Sequence, residues 1–488
     1  MKPVNNFASR STSSAKLGAF PGAGAAIAAL LAWGVGLALI LSFWPGIMAW
    51  DSGRQYSQAL SGHLDDWHPP LMEWIWRLLI PLMPGPVPML ILQLGLYGGA
   101  LGYLAYRSWR RDRGGEAVWL AAIGLFPPIL VVMASIIKDA LMAATLLAAF
   151  ACLLRACDTG SKAARWIGAG LIVLASCLRF NAFLAGLPLL LLAMPIRWLR
   201  DRGKAAIAAA VAGVVLLFAM PAANRLLRAD RSGVELSLVI FDLGGITAHG
   251  GGDAFPPLAV KNPVAVNQGC YFAERWDSYS WWVDPPCPIR FTTVQAAFAQ
   301  QRINPVPFWI KAILMHPLAY AAHRLEHWNI ASQFLVRITT VRWVTSTSDP
   351  NVWNFRVAPN LLNRLVTAAV WVVNTTPLGW PCWWVALAFG LVALAGQLPD
   401  ARPMLARPML ALAGSALLYD LGYVFFSVAA EFRYYCWPMM ATSIAAVMFA
   451  RHWRQTPQAQ RPGRTQQIWA AAPLLVVTVL GLGWRWFG

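Results

Sequence analysis

The chain has 488 residues, 58% of them hydrophobic and 12% charged, with a formal net charge of +18 and a mean hydropathy of +0.52. Soluble domains carry about 25% charged residues, so a secreted toxin, a cytosolic domain and a disordered tail are excluded. Apolar runs of about 20 residues, the length a bilayer core requires, identify an all-α polytopic membrane protein; a β-barrel would alternate in short segments instead.

In chain order, a polar, basic tail (1–24) leads into an apolar run that reaches Ile47. No small-residue cleavage site follows, so the run reads as an uncleaved signal anchor. A transmembrane core (25–223) follows, interrupted by an external loop at 51–86. Its spans are Ala25–Ser42, Val87–Tyr106, Ala117–Ile137, Ala140–Leu154, a stretch divided in two at Arg179-Phe180-Asn181, and Ala205–Ala223. Residues 224–360 contain no clean span and read as a large external loop or a set of interfacial helices. The C-terminal part (361–488) supplies Trp380–Gly396, Met409–Ala430, Tyr434–Ala450 and Ile468–Trp486. Leu361–Thr375, which carries Arg364, either crosses or lies flat. The expectation is 11 to 13 transmembrane helices, without the internal repeat of an inverted-repeat transporter.

Charge gives the orientation. Six short segments (the N-terminus, 107–113, 155–165, 197–204, 400–407 and 451–464) carry 20 of the 39 basic residues and only four of the 21 acidic ones. Short loops rich in Lys and Arg stay cytoplasmic, which makes 51–86 and 224–360 external in an inner (plasma) membrane. The basic residues punctuate spans rather than line one face, so the partner is the lipid bilayer and not nucleic acid. Five of the seven cysteines lie in or beside spans as packing residues. Cys270 and Cys287 stand apart in the external region, where an oxidising compartment permits a bond between them; their spacing alone leaves paired and free states open.

The first external loop holds Asp51 directly after span 1, then Tyr56, then His68-Pro69-Pro70-Leu71. The two prolines suit a helix start, and Leu71–Met83 reads as an interfacial helix with Glu73 and Arg77 paired on its polar side. Asp51 taken alone reads as a helix cap or a boundary marker rather than as a catalytic residue.

An acidic residue after span 1, a nearby tyrosine, and His-Pro-Pro-Leu before an interfacial helix together resemble the GT-C membrane glycosyltransferases, the group of protein O-mannosyltransferases and aminoarabinose transferases. Lys138-Asp139 follows span 3, where that family places a second acidic site. Arg179-Phe180-Asn181 lies at the next external boundary, His316-Pro317 resembles a later His-Pro element, and Glu431-Phe432-Arg433-Tyr434 precedes a late span. Asp51 is followed by Ser52-Gly53 and not by the second acidic residue common in the family.

The resemblance implies a GT-C bundle that transfers sugar, with inversion, from a polyprenyl-phosphate-linked donor to an extracytoplasmic glycan, lipid or protein acceptor. Asp51 and Asp139 would be catalytic. Tyr56, His68, Lys138, Arg179, Asn181, His316, Glu431, Arg433 and Tyr434 would bind substrate. The residue types suit that chemistry: a carboxylate accepts the acceptor's proton, and cations stabilise a departing phosphate. For each cation, ordinary snorkelling is the competing reading. External aromatics such as Tyr271, Trp276, Trp281 and Trp282 read as an interfacial belt more than as sugar platforms.

His323-Arg324-Leu325-Glu326-His327 fits the spacing of inverted zinc peptidases. It also continues an amphipathic helix rich in His and Arg, which is the reading preferred here. His323 and His327 remain the metal candidates, and a divalent cation is compatible with the family chemistry. Two rival functions stand: a transporter or flippase of lipid-linked or small solutes, for which Asp420 inside a span speaks, and an enzyme of the O-antigen polymerase or ligase type.

Overall fold

A computed structural model describes residues 23–338, 346–398 and 403–487, apart from the side chains of residues 196 and 403–406. The basic tail and Asp400 lie outside the described residues. Among the described residues the fold is all-α, with no sheet and three isolated β-bridges.

The N-terminal half contains α1 (Ala23–Leu41), α2 (Trp50–Ser61), α3 (Leu71–Leu79), α4 (Val87–Trp109), α5 (Gly114–Ala122), α6 (Pro127–Ala134), α7 (Lys138–Thr159), α8 (Lys162–Ser176), α9 (Ala182–Leu192), α10 (Ile196–Arg200) and α11 (Arg202–Leu226). The middle region contains α12 (Glu235–Ala248), α13 (Pro263–Cys270), α14 (Phe291–Gln300), α15 (Pro305–Met315) and α16 (Pro317–Ser332). The C-terminal part contains α17 (Leu361–Asn374), α18 (Pro381–Ala395), α19 (Pro403–Phe426), α20 (Cys436–Gln455) and α21 (Arg464–Phe487).

Among the described residues six helices are long and apolar enough to cross a membrane, and a bent pair raises this to seven if it counts as one span. This is fewer than the 11 to 13 expected. The expected third span breaks because Pro127 and Pro128 stop the preceding helix at Phe126: the chain turns by 57° between the segment ending at Leu125 and α6. The residue before a proline is driven out of the α region, and Phe126 has ψ 114°. Helices α8, α9, α17 and α18 have 15, 11, 14 and 15 residues, shorter than the about 20 of a straight crossing, although α8 and α9 connect the two ends of the bundle through Arg179.

The apolar helices divide by what surrounds them. α7 is the centre of the bundle, its alanine-rich surface buried against α4 and α8; small residues permit that close approach. α1, α11 and α21 leave bulky side chains such as Leu30, Phe218 and Leu475 more than half exposed, a surface suited to lipid. The basic loops meet at one end of the bundle: Arg107 and Arg111 both bind Asp158, and Arg451 binds Glu116. From Asp158 back to Lys138 along α7 is roughly 30 Å at 1.5 Å per residue, the thickness of a hydrocarbon core.

The region from α12 to α16 has its own core, built on Ile240, Phe241, Tyr279, Ile289 and Val294, and a Cys270–Cys287 disulfide with Cα atoms 5.9 Å apart. Its aromatics pack on each other: Trp67 meets Trp276, Trp281 and Phe291 at ring separations of 4.9–5.8 Å.

Candidate active site

The candidate site forms where three irregular segments meet at the end of the bundle opposite the basic loops. The backbone after α1 pairs with the backbone before α7: Ile47 N–H donates to Ala134 O, and Ile136 N–H donates to Ile47 O, both at 2.9 Å. Gly46 makes this approach with φ +115°, and a Cβ there would lie 2.8 Å from Ile136 Cδ1. Ser52 Oγ donates to Ile136 O at 2.6 Å, so the first turn of α2 is tied to the strand-like segment before Lys138. Gln93 of α4 fixes that segment from behind by donating to Met133 O and Ser135 O. Asp51 and Lys138-Asp139 are thereby brought together.

Two attachments to the segments between α11 and α14 add the rest. Ser232 N–H and Oγ both donate to Asp66 at 2.7 Å, two residues before His68. Trp276 N–H donates to Val428 O, and Ala430 N–H to Glu274 O, just before Glu431 and Arg433.

The resulting cluster is compact and mostly withdrawn from water. Arg433 lies 2.9 Å from Asp51 and 4.0 Å from both Asp139 and Glu431. Asp139 also pairs with Arg179, whose guanidinium sits 4.3 Å from the centre of the Tyr434 ring. Asn181 is buried beside Tyr423, and Tyr423 stacks on Tyr434. Lys138 Nζ approaches His68 Nδ1 at 2.5 Å, and His68 Nε2 is 3.7 Å from Asp51. One oxygen of Asp139 and the Nε of Arg433, 4.0 Å apart, are buried without a hydrogen-bond partner among the described residues.

The electrostatics follow from burial and neighbours. Burial disfavours a charged Asp51, yet Arg433 foremost, with Lys138, outweighs it and holds the carboxyl well below the usual carboxylate range. Burial and then Lys138 push His68 down to about 3, so its imidazole is neutral at physiological pH. A neutral His68 accepts from Lys138 at Nδ1 and directs its Nε2–H toward Asp51.

Of the eleven residues proposed for catalysis and substrate binding, nine gather here. Tyr56 does not: its ring is buried among Trp76, Trp353 and Phe355, and its hydroxyl accepts from Gly85 N–H at 2.9 Å. It is a packing residue of the loop. His316 stands at the junction of α15 and α16, and none of its hydrogen bonds among the described residues reaches the cluster.

The expected Glu73–Arg77 pair is also absent. Glu73 is fully buried with neither oxygen partnered among the described residues, because Arg77 turns away to the carbonyls of Ala59 and Leu60 at the end of α2. Ser348 and Asp349 also contribute: they bind Met48 N–H and Trp50 N–H and so hold the entry to α2. No local signal in the sequence points to contacts of that range.

The metal candidates do not converge. His323 is held between Asp242 (3.0 Å) and Tyr271 (2.9 Å), His327 bonds Ala273 O, and Glu326 turns out to His249. Among the described residues no group of three His, Cys, Asp or Glu side chains could hold a metal ion. At the cluster itself Asp51 and Asp139 are each paired with an arginine, so the donor set does not fit a divalent cation. No family model matches the chain, and no curated protein matches it.

Proposed function

We propose that the protein is a membrane glycosyltransferase of GT-C type that transfers a sugar from a polyprenyl-phosphate-linked donor to an acceptor on the extracytoplasmic side. The observation that carries this reading is the convergence of Asp51 with Arg433, His68 and Lys138 at the edge of the bundle, where a lipid-held donor presents its phosphate. The acceptor hydroxyl oxygen attacks the anomeric carbon, the bond from that carbon to the phosphate oxygen breaks, and the hydroxyl proton passes to the Asp51 carboxylate. One displacement inverts the anomeric centre. The leaving phosphate takes the new negative charge, which Arg433 and Lys138 neutralise. Arg179 holds Asp139 in place and is itself fixed on Tyr434.

The depressed proton affinity of Asp51 gives the reaction an order. While Arg433 is engaged with Asp51, the carboxylate is a weak base. A donor phosphate that draws Arg433 and Lys138 onto itself restores the basicity of Asp51, so the base becomes competent once the donor is bound. Mass-spectrometric comparison of envelope glycolipids and glycans from cells with and without the gene tests this function: loss of one defined sugar modification is expected, and identical profiles contradict it.

The transporter reading is favoured by one observation: Asp420 is buried in α19, with neither carboxylate oxygen partnered among the described residues. Solute uptake by vesicles containing the protein would distinguish it.

A further inference from the structure

Some cations at the basic end of the bundle face a carboxylate; others do not, and two of those share a cavity. Arg107, Arg111 and Arg451 are neutralised by Asp158 and Glu116. Arg165 of α8 and Arg407 of α19 have no carboxylate partner among the described residues, and both are half-buried. They line a single cavity of about 270 Å³, walled by Leu153, Leu192, Met194 and Pro195, where α7, α8, α9 and α19 meet. Among the described residues Arg407 donates to Met194 O, at 3.4 Å. Two fixed positive charges in an apolar-walled cavity require an anion, and a guanidinium matches the paired oxygens of a phosphate.

The depth of the cavity says where the anion comes from. Ala156, in its wall, is 18 residues beyond Lys138 on α7, roughly 27 Å from the candidate active site. The cavity therefore sits at the opposite membrane edge. Trp166 and Trp198, exposed by 75% and 45%, flank it in sequence next to Arg165 and Pro195; exposed tryptophans at a bundle end mark the headgroup level. The volume suits a headgroup, with the acyl chains left outside on the apolar helix surface.

We propose that this cavity binds the phosphate of an anionic phospholipid headgroup from the leaflet facing the basic loops, held between Arg165 and Arg407. The site is separate from the candidate active site and does not depend on the function assigned to it.

Native mass spectrometry and thermal unfolding of the full-length protein in detergent, titrated with phosphatidylglycerol, phosphatidylcholine or inorganic phosphate, test the proposal. Phosphatidylglycerol is expected to bind and to raise the melting temperature, and phosphatidylcholine is not. Arg165→Gln/Arg407→Gln should weaken phosphatidylglycerol binding roughly 30-fold, as expected for two cations lost from an anionic-lipid site. Arg110→Gln/Arg454→Gln, an equal loss of charge from exposed positions in the basic loops, should leave it unchanged. Melting temperatures without lipid establish that both double variants are folded. Equal binding by the cavity variant and wild type, or an equal loss in the control variant, overturns the site. Stabilisation by millimolar inorganic phosphate that matches phosphatidylglycerol overturns the lipid as its source.

Discussion

Arg433 and Asp51 come from opposite ends of the chain and meet at 2.9 Å. Each explains the other's state. Burial alone would push the carboxyl up and the guanidinium down, yet together Asp51 stays ionised and Arg433 more firmly protonated. A buried pair of this kind is weak evidence for stability, because desolvation offsets much of the attraction; its value here is the poised charge.

Arg433→Gln removes both the partner of Asp51 and a cation for the leaving phosphate. Transfer should fall by about 10²–10³, the usual cost of one preorganised donor. The remaining activity should show its acid limb at higher pH than wild type, since Asp51 regains proton affinity. A pH–rate profile of purified variant and wild type checks this, and an unshifted limb would separate Arg433 from Asp51.

Glu73→Gln should stabilise the protein. Burial raises the Glu73 carboxyl from 4.5 to about 8, against weaker opposing effects from the nearby backbone, Gln55 and Lys138. Between those pH values the folded state holds a proton that the unfolded state has released, so folding loses stability as pH rises through this window. Glutamine stays neutral throughout. Melting temperatures in detergent from pH 5 to 8.5 should fall for wild type relative to the variant, reflecting a stability difference on the order of a few kcal/mol at the upper end. Parallel curves contradict the assignment.

Tyr56→Phe separates packing from substrate binding. It leaves Gly85 N–H buried without its acceptor, a loss of about 1–3 kcal/mol. Thermal unfolding should register that loss while activity per folded molecule stays at the wild-type level. A stable variant with impaired transfer would return Tyr56 to the site.

Much of the cluster was legible because sidedness is written in the basic loops: Asp51, Lys138, Arg179 and Arg433 lie at helix ends, and His68 in the loop after α2, all on the face opposite those loops. The misreadings of Arg77 and Tyr56 share a cause, which is long-range contact. Spacing places Glu73 and Arg77 one turn apart, but cannot show that the end of α2 offers Arg77 two carbonyls. Tyr56 lies near Asp51 in sequence, whereas its environment is set by Trp353 and Phe355. The break at Phe126-Pro127-Pro128 was present in the sequence, and a continuous apolar run masked it.

Orientation is open to direct test. Reporter fusions after Tyr106, Leu154, Arg200 and Arg454 should read cytoplasmic, and fusions near Asp66 and Trp276 extracytoplasmic. A cytoplasmic reading at Asp66 would place the cluster among soluble nucleotide sugars and remove the lipid-linked donor from the account.

The central claim rests on Asp51 as the base. The most direct measurement is sugar transfer per molecule by the Asp51→Asn variant, compared at equal membrane abundance with wild type in cells lacking the chromosomal gene, by mass spectrometry of the envelope glycan. Loss of a general base lowers the rate by about 10²–10⁴. The account predicts normal abundance with the modification reduced to the level of the deletion strain. Full modification by Asp51→Asn at that abundance would contradict it.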